Sequence, residues 1–320
     1  MEKEKSNTLK RRKSTEKISR TGNYGYLFVL PFFVFLFLFS LLPIMFSFGI
    51  SFTKWNSYTD MQFVGLTNYI TILKDGLFFK SLFNTLKIML IALPAGVLLS
   101  LGLAFLLNEN VFKFSRFFKT TYFLPYITTP VAIGLLFSLL FNSQIGFVNT
   151  VLKAMGLIDE NIFWLSNPKY VVPIVGLLVL WKSFGYNMVL YLAGMQVIPK
   201  DLYEAAEIDG ATTWQKFKSV TIPMLRSIHM FVIITSIIWG LQIFDEPAML
   251  MVGANSSASI ANTLGGPAKC VYTLVSYVYE EGFVLFREGT SAAVAYLMTV
   301  IIILFSIISV KIMNRGEEAL

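Results

Sequence analysis

Apolar residues along this chain come in six long blocks, residues 26–52, 82–107, 121–141, 171–195, 228–250 and 290–313, separated by polar stretches. Each block supplies the ~20 residues an α-helix needs to cross a bilayer. The pattern predicts an all-α integral membrane protein with six transmembrane helices. Pro31 and Pro43 fall inside the first block, and spanning helices tolerate such prolines. That block is too long for a signal-peptide core and lacks a small-residue cleavage site, so a retained span is expected. Residues 1–24 are polar and charged and read as a basic tail, residues 25–313 as the membrane domain, and residues 314–320 as a second short tail.

The polar stretch between the fourth and fifth blocks has its own pattern. It carries four acids within nine residues, Asp201, Glu204, Glu207 and Asp209. A charge at the centre of a spanning helix costs about 2.5–3.5 kcal/mol on insertion scales, so this stretch must lie outside the hydrocarbon. Pro199 opens a helix, Asp201 puts negative charge in its first turn, and Leu202, Ala205 and Ala206 recur at helical spacing. Gly210 ends that helix, and Thr212 or Thr213 caps a second one through Trp214, Phe217 and Val220. The expectation is a helical hairpin on a membrane surface. A helix that merely rests there favours Lys and Arg on its polar face. An acidic one is better matched to a protein partner with a basic cleft.

Basic residues orient the spans. With the first tail inside, the inner segments hold seventeen Lys and Arg and the outer loops seven. Both termini and the acidic hairpin are therefore expected in the cytoplasm. Among the outer loops, Trp55, Tyr58, Tyr69 and Trp164 suit the headgroup level. Residues 253–273, rich in Gly, Ser, Ala and Asn, read as an irregular outer loop.

Composition narrows the chemistry. Charged residues make up 14% of the chain, against about 25% for soluble proteins, which excludes a soluble domain. The net charge of +7 is concentrated in the first tail, where it suits an anionic leaflet rather than a nucleic acid. One cysteine, Cys270, and one histidine, His229, leave no disulfide and no Cys- or His-based metal set, so no metal and no cofactor are expected. His229 reads as an interface residue and Cys270 as an inert loop thiol. No phosphate loop, zinc-protease motif or serine triad is present, so the chain is expected to be no enzyme.

Glu204-Ala205-Ala206, three residues, Gly210, nine residues, then Val220-Thr221-Ile222-Pro223 resembles the "EAA" loop of permease subunits of binding-protein-dependent ABC importers. Residues 181–188, 192–199 and 63–69, and Leu264-Gly265-Gly266-Pro267 together with the stretch from Leu274 to Phe283, are similar to the carbohydrate branch of that family. The likeness covers nearly the whole chain after the tail. Two departures stand out: residues 253–263 look like an insertion before Gly265, and Arg226 occupies a position often held by Pro.

The resemblance implies a multi-pass subunit of the bacterial inner or plasma membrane, forming half of a pore with a second permease. Its EAA loop, residues 199–223, would dock on an ATPase dimer, which hydrolyses the ATP. Glu204, Ala205, Ala206, Asp209, Gly210 and Pro223 would couple to that partner. An external sugar-binding protein would dock near Gly265, Gly266 and Pro267 and deliver a carbohydrate, with oligosaccharides common in this branch.

Polar residues at mid-depth are candidates for the substrate path. Lys182 and Tyr186 lie ~17 and ~22 Å along the fourth span from its outer end, four residues apart on one face, with Asn187 beside them. Trp239, Gln242 and Glu246 recur at three and four along the fifth block. An aromatic face with hydrogen-bonding groups is the mixture a sugar requires. The same residues also fit packing, or a lysine that snorkels or pairs across the bundle. Two other functions fit the residues: a membrane-embedded enzyme using Lys182 and Glu246 as an acid/base pair, or a scaffold whose loop recruits a soluble partner.

Overall fold

The computed structural model describes residues 22–58, 60–108, 115–255 and 260–315. Most of the first tail, residues 256–259 of the expected insertion and the end of the second tail lie outside them. Among the described residues the regular structure is helical apart from one two-stranded ribbon. Helix α1 runs through Gly22–Leu36, a π turn at Phe37–Leu41, and Leu42–Ile50. Strands β1 (Thr53–Lys54) and β2 (Gln62–Phe63) pair antiparallel, with Thr53 opposite Phe63. Then come α2 (Thr67–Lys74), α3 (Gly76–Asn108), α4 (Ser115–Ile127), α5 (Pro130–Leu140), α6 (Phe147–Ala154) and α7 (Pro168–Met195). The second half holds α8 (Lys200–Ile208), α9 (Thr213–Met224), α10 (Arg226–Leu241), α11 (Asp245–Ala254) and α12 (Ile260–Thr263). Leu274–Tyr279 forms α13, extended by a π turn at Glu280–Val284, and Glu288–Arg315 forms α14.

Among the described residues four helices are long and apolar enough to cross a membrane unbroken, at Tyr26–Ile50, Gly76–Asn108, Pro168–Met195 and Glu288–Met313. The third block is bent, and so is the approach to the fifth. Helices α4 and α5 meet at 98°, and α9 meets α10 at 68°. The first break follows from Pro130, which disfavours helical backbone at Thr129 and lets that residue act as N-cap, its hydroxyl accepting from Ala132 N–H. The fifth block is not one helix. Helix α10 stops at Leu241, and α11 restarts at Asp245 with two acids and Pro247 in its first turn, where the missing N–H costs nothing.

Helices α3 and α7 pack along each other and carry two apolar cores. Toward the end away from the hairpin Ile88, Ile174, Val175 and Leu178 join Ile133, Leu250 and Met251. Toward the hairpin end Leu101, Ala104 and Leu107 join Met188, Tyr191, Leu192, Phe217 and Val232. His229 belongs with this second core, its Nδ1 3.0 Å from the Tyr191 hydroxyl. Helix α1 stands apart, held near its outer end by the Tyr296 hydroxyl on the Ile44 carbonyl at 2.6 Å and by Phe48 against Tyr296.

Candidate functional site: a mid-depth cavity, an exposed hairpin and an outer recess

Between the two cores α3 and α7 part around a cavity of about 280 Å³, near the lower end of the ~300–1,000 Å³ usual for ligand sites. Ile88, Met89, Ala92 and Leu93 form one wall. Val179, Lys182, Ser183 and Asn187 form another, and Ser236, Trp239, Ile243 and Glu246 close it. Tyr126 enters from the end of α4. It can do so because Gly185 has no side chain: a Cβ there would collide with the Tyr122 carbonyl, so glycine lets α4 lie directly on α7.

Three rings meet at this wall. Tyr126 stacks on Tyr186 with centroids 4.6 Å apart, Tyr186 lies 5.3 Å from Trp239, and Trp239 lies 6.3 Å from Tyr126. Each such pair contributes about 0.5–1.5 kcal/mol beyond its buried area. Lys182 Nζ lies 2.6 Å from Glu246 Oε1, both side chains mostly shielded at 19% and 15% exposure. Asn187 is only 5% exposed and lines the cavity, and its amide bonds no other described residue. Its polar atoms keep access to the cavity space, so their hydrogen-bond partners come from water or a ligand.

Of the expected path residues, Lys182, Asn187, Trp239 and Glu246 converge here, and Tyr186 joins through its ring contacts. The helical row through Trp239, Gln242 and Glu246 is corrected. Because α10 ends at Leu241, Glu246 reaches the cavity from α11, while Gln242 is an exposed C-cap outside the lining. Tyr126, Ser183 and Ser236 are new to the site. The signal for Tyr126 was its place between Pro125 and the Thr128-Thr129-Pro130 break.

The hairpin forms as its residues dictate. After Asp209, Gly210 takes φ +73°, its N–H bonds the Glu207 carbonyl at 3.0 Å, and Ala211 N–H bonds the Ala206 carbonyl at 2.9 Å. This Schellman closure satisfies the last carbonyls of α8 and favours a residue without Cβ. Thr212 and Gln215 form a capping box that starts α9. Across the hairpin, Lys216 Nζ lies 2.6 Å from Glu207 Oε1, and the Tyr203 and Thr221 hydroxyls are 3.0 Å apart. Phe217 anchors the unit, its ring 4.4 Å from Phe105 of α3. Glu204, Ala205, Asp209 and Gly210 are exposed, and the Glu204 and Asp209 carboxylates bond no other described residue. Ile208 at 87% and Trp214 at 67% exposure add an apolar knob that acidic patterning alone did not reveal. Pro223 sits in the last turn of α9, on the fifth block's approach.

At the other end, Gly265 (φ +86°) is buried under Tyr272, while Gly266 and Pro267 are half-buried and line a recess of about 450 Å³ with Leu165, Ser166, Asn255 and Thr263. The Tyr272 hydroxyl donates to Glu280, which also pairs with Lys269 Nζ at 3.0 Å. Burial, and then the Glu280 carboxylate, push the Tyr272 phenol up. Burial likewise raises Glu281 despite Arg287 at 3.6 Å, and raises the Cys270 thiol, which keeps it protonated and inert. Among the described residues no cluster of His, Cys, Asp or Glu has the makings of a metal site.

Apolar helices surrounding a polar, aromatic cavity, with an ordered hairpin thrust out at one end, define a membrane transport subunit. The chain belongs to the family of inner membrane components of binding-protein-dependent transport systems, whose match spans residues 92–317. It is 34% identical over 295 residues to the arabinooligosaccharides transport system permease protein of Bacillus subtilis (strain 168), covering 91% of this chain and 90% of that one. It is also 34% identical over 283 residues to the lactose transport system permease protein of Rhizobium radiobacter, covering 88% and 91%. Its fold matches a chain in the crystal structure of a bacterial ABC transporter involved in the import of the acidic polysaccharide alginate, with a TM-score of 0.75 at 20% identity, covering 95% of this chain and 99% of that one.

Proposed function

We propose that the chain is the permease subunit of an ATP-driven carbohydrate importer, itself without catalytic activity. The observation that carries this reading is the cavity between the two cores, where the Tyr126 and Trp239 rings, with Tyr186 packed against them outside the lining, share the wall with the Asn187 amide and two serines. Rings stack on the C–H face of a sugar, and the amide and hydroxyls take its hydroxyl groups. The cargo named for the arabinooligosaccharide and lactose relatives supports the same substrate class.

In this reading α4 with α5 counts as one span and the fifth block from Ile228 as another, giving six with the four unbroken helices, and both termini and the hairpin of residues 199–223 lie in the cytoplasm of a bacterium. Residues 25–313 form the membrane domain between two short tails. Glu204 and Asp209, without a bonding partner among the described residues, meet the ATPase dimer together with Ile208 and Trp214. Ala205 and Ala206 allow its close approach. The recess beside Gly266 and Pro267 receives the external sugar-binding protein, with buried Gly265 packed behind it against Tyr272. A second permease completes the pore. ATP-driven closure of the ATPases displaces the hairpin, and Phe217 on Phe105 passes that displacement to α3, one wall of the cavity.

The test is uptake of a radiolabelled sugar panel by bacteria lacking this chain and complemented with wild type or Trp239→Ala. Wild type should restore uptake of at least one sugar. The variant, inserted at equal level, should raise the half-saturating concentration several-fold. Labelling of a Gly210→Cys protein should occur only from the cytoplasmic side; labelling from outside would make coupling to an internal ATPase impossible.

A further inference from the structure

Lys182 and Glu246 are the only charged side chains among the described residues lining the cavity, and at 2.6 Å they cancel. Everything else there is apolar, aromatic or a neutral hydrogen-bonding group. Resting on the assignment of this cavity to the sugar path, we propose that the ion pair makes the passage selective for uncharged sugars, and that Glu246 is the residue that turns anionic ones away.

The charge count carries the argument. An uncharged sugar enters a neutral cavity and leaves it neutral, using Asn187, Ser236 and the rings while the pair stays closed. A uronate, sugar phosphate or sulfonate brings net negative charge into a space walled by Met89, Ala92, Leu93 and Ile243. Its anion reaches the Lys182 ammonium either beside Glu246 or by displacing it, and in both cases the Glu246 carboxylate remains in the same small cavity. Shielded from water, two like charges at such range repel strongly, so the wrong ligand is rejected by an unfavourable contact rather than by a missing favourable one. Glu246 is well placed for this role. It sits in the first turn of α11, on a separate element from Lys182, so the carboxylate is held at the cavity wall by its own helix start. An ion pair serving only to brace α7 against α11 would impose no such discrimination.

The experiment is equilibrium binding to the purified full transporter complex without its binding protein, so that external selection does not contribute. The probes are labelled neutral trisaccharides of galactose and glucose, each beside the form whose C6 alcohols are oxidised to carboxylates. Wild type should favour the neutral member by about tenfold or more. Glu246→Gln leaves Lys182 uncompensated and should shift the ratio at least about tenfold toward the uronate, a gain that added salt weakens. Lys182→Gln should shift it the other way, and the double variant should return it to the wild-type ratio. A wild-type ratio near one overturns the proposal without any variant, which keeps it decidable should Glu246→Gln fail to accumulate. An unchanged ratio in Glu246→Gln overturns it too and leaves the pair as a brace. If no neutral sugar binds and Trp239→Ala changes nothing, the sugar-path assignment falls first and the selectivity falls with it.

Discussion

The two ends of the molecule are built in opposite ways. The hairpin at residues 199–223 is closed by neighbours in sequence. Gly210 bonds Glu207, Thr212 and Gln215 cap each other, and its furthest internal bond, Tyr203 to Thr221, spans 18 residues. The outer cap around α13 is pinned from far away. Asn84 of α3 donates to the Lys269 and Tyr272 carbonyls at 2.8 and 3.1 Å, Thr85 accepts from Leu274 N–H, and the Tyr277 hydroxyl donates to Asp75 at 2.6 Å. Those pairs are 185 to 202 residues apart. A unit closed on itself moves as one body, whereas a unit bonded into two distant helices stays where they hold it. On the proposed function, the stroke then falls to the hairpin and a fixed seat to the outer cap.

Three substitutions sharpen or break that contrast. The largest effect is expected from Gly210→Pro. Proline fixes φ near −65°, against the +73° required, and removes the N–H that bonds Glu207. Uptake should fall to background with membrane insertion intact; a transporting variant would mean the turn is not part of the lever. Next is Asn84→Leu, which strands the two carbonyls at a cost of about 1–3 kcal/mol each. It should lower the unfolding midpoint in detergent and expose the outer cap to protease while the hairpin stays protected. Equal loosening of both ends would erase the distinction. The smallest effect belongs to Lys216→Ala, since Glu207 is 61% exposed and such pairs are worth about 0.2–1 kcal/mol. A modest fall in uptake is expected. A complete loss would show that this pair, rather than the Schellman turn, holds the hairpin rigid.

The same difference explains what the amino-acid order alone disclosed. The hairpin was legible to within one residue of its second cap, placed at Thr212 or Thr213, because each signal (Pro199, Gly210, the threonine pair) acts on residues within a turn of itself. The apolar blocks were legible because length is local. The breaks at Thr128–Thr129 and at Gln242 were not, and with them went the expectation that Trp239 and Glu246 share one helix. Glu246 meets Lys182 across 64 residues, and Tyr126 meets Tyr186 only because Gly185 admits α4 at close range. No periodicity encodes such meetings; they depend on how whole helices cross. Gly265 was read as part of a docking surface, whereas its burial under Tyr272 makes it a packing position.

The elbow between α4 and α5 has a consequence for the solvent. Two residues of unwound chain sit there beside Tyr126, with the Thr128 hydroxyl returning to the Leu124 carbonyl at 2.9 Å. Acyl chains cannot hydrate the peptide groups such a corner uncovers, so unwound backbone survives at depth only against protein or moisture. On the six-span reading, the joint therefore has to be covered by protein or reached by water.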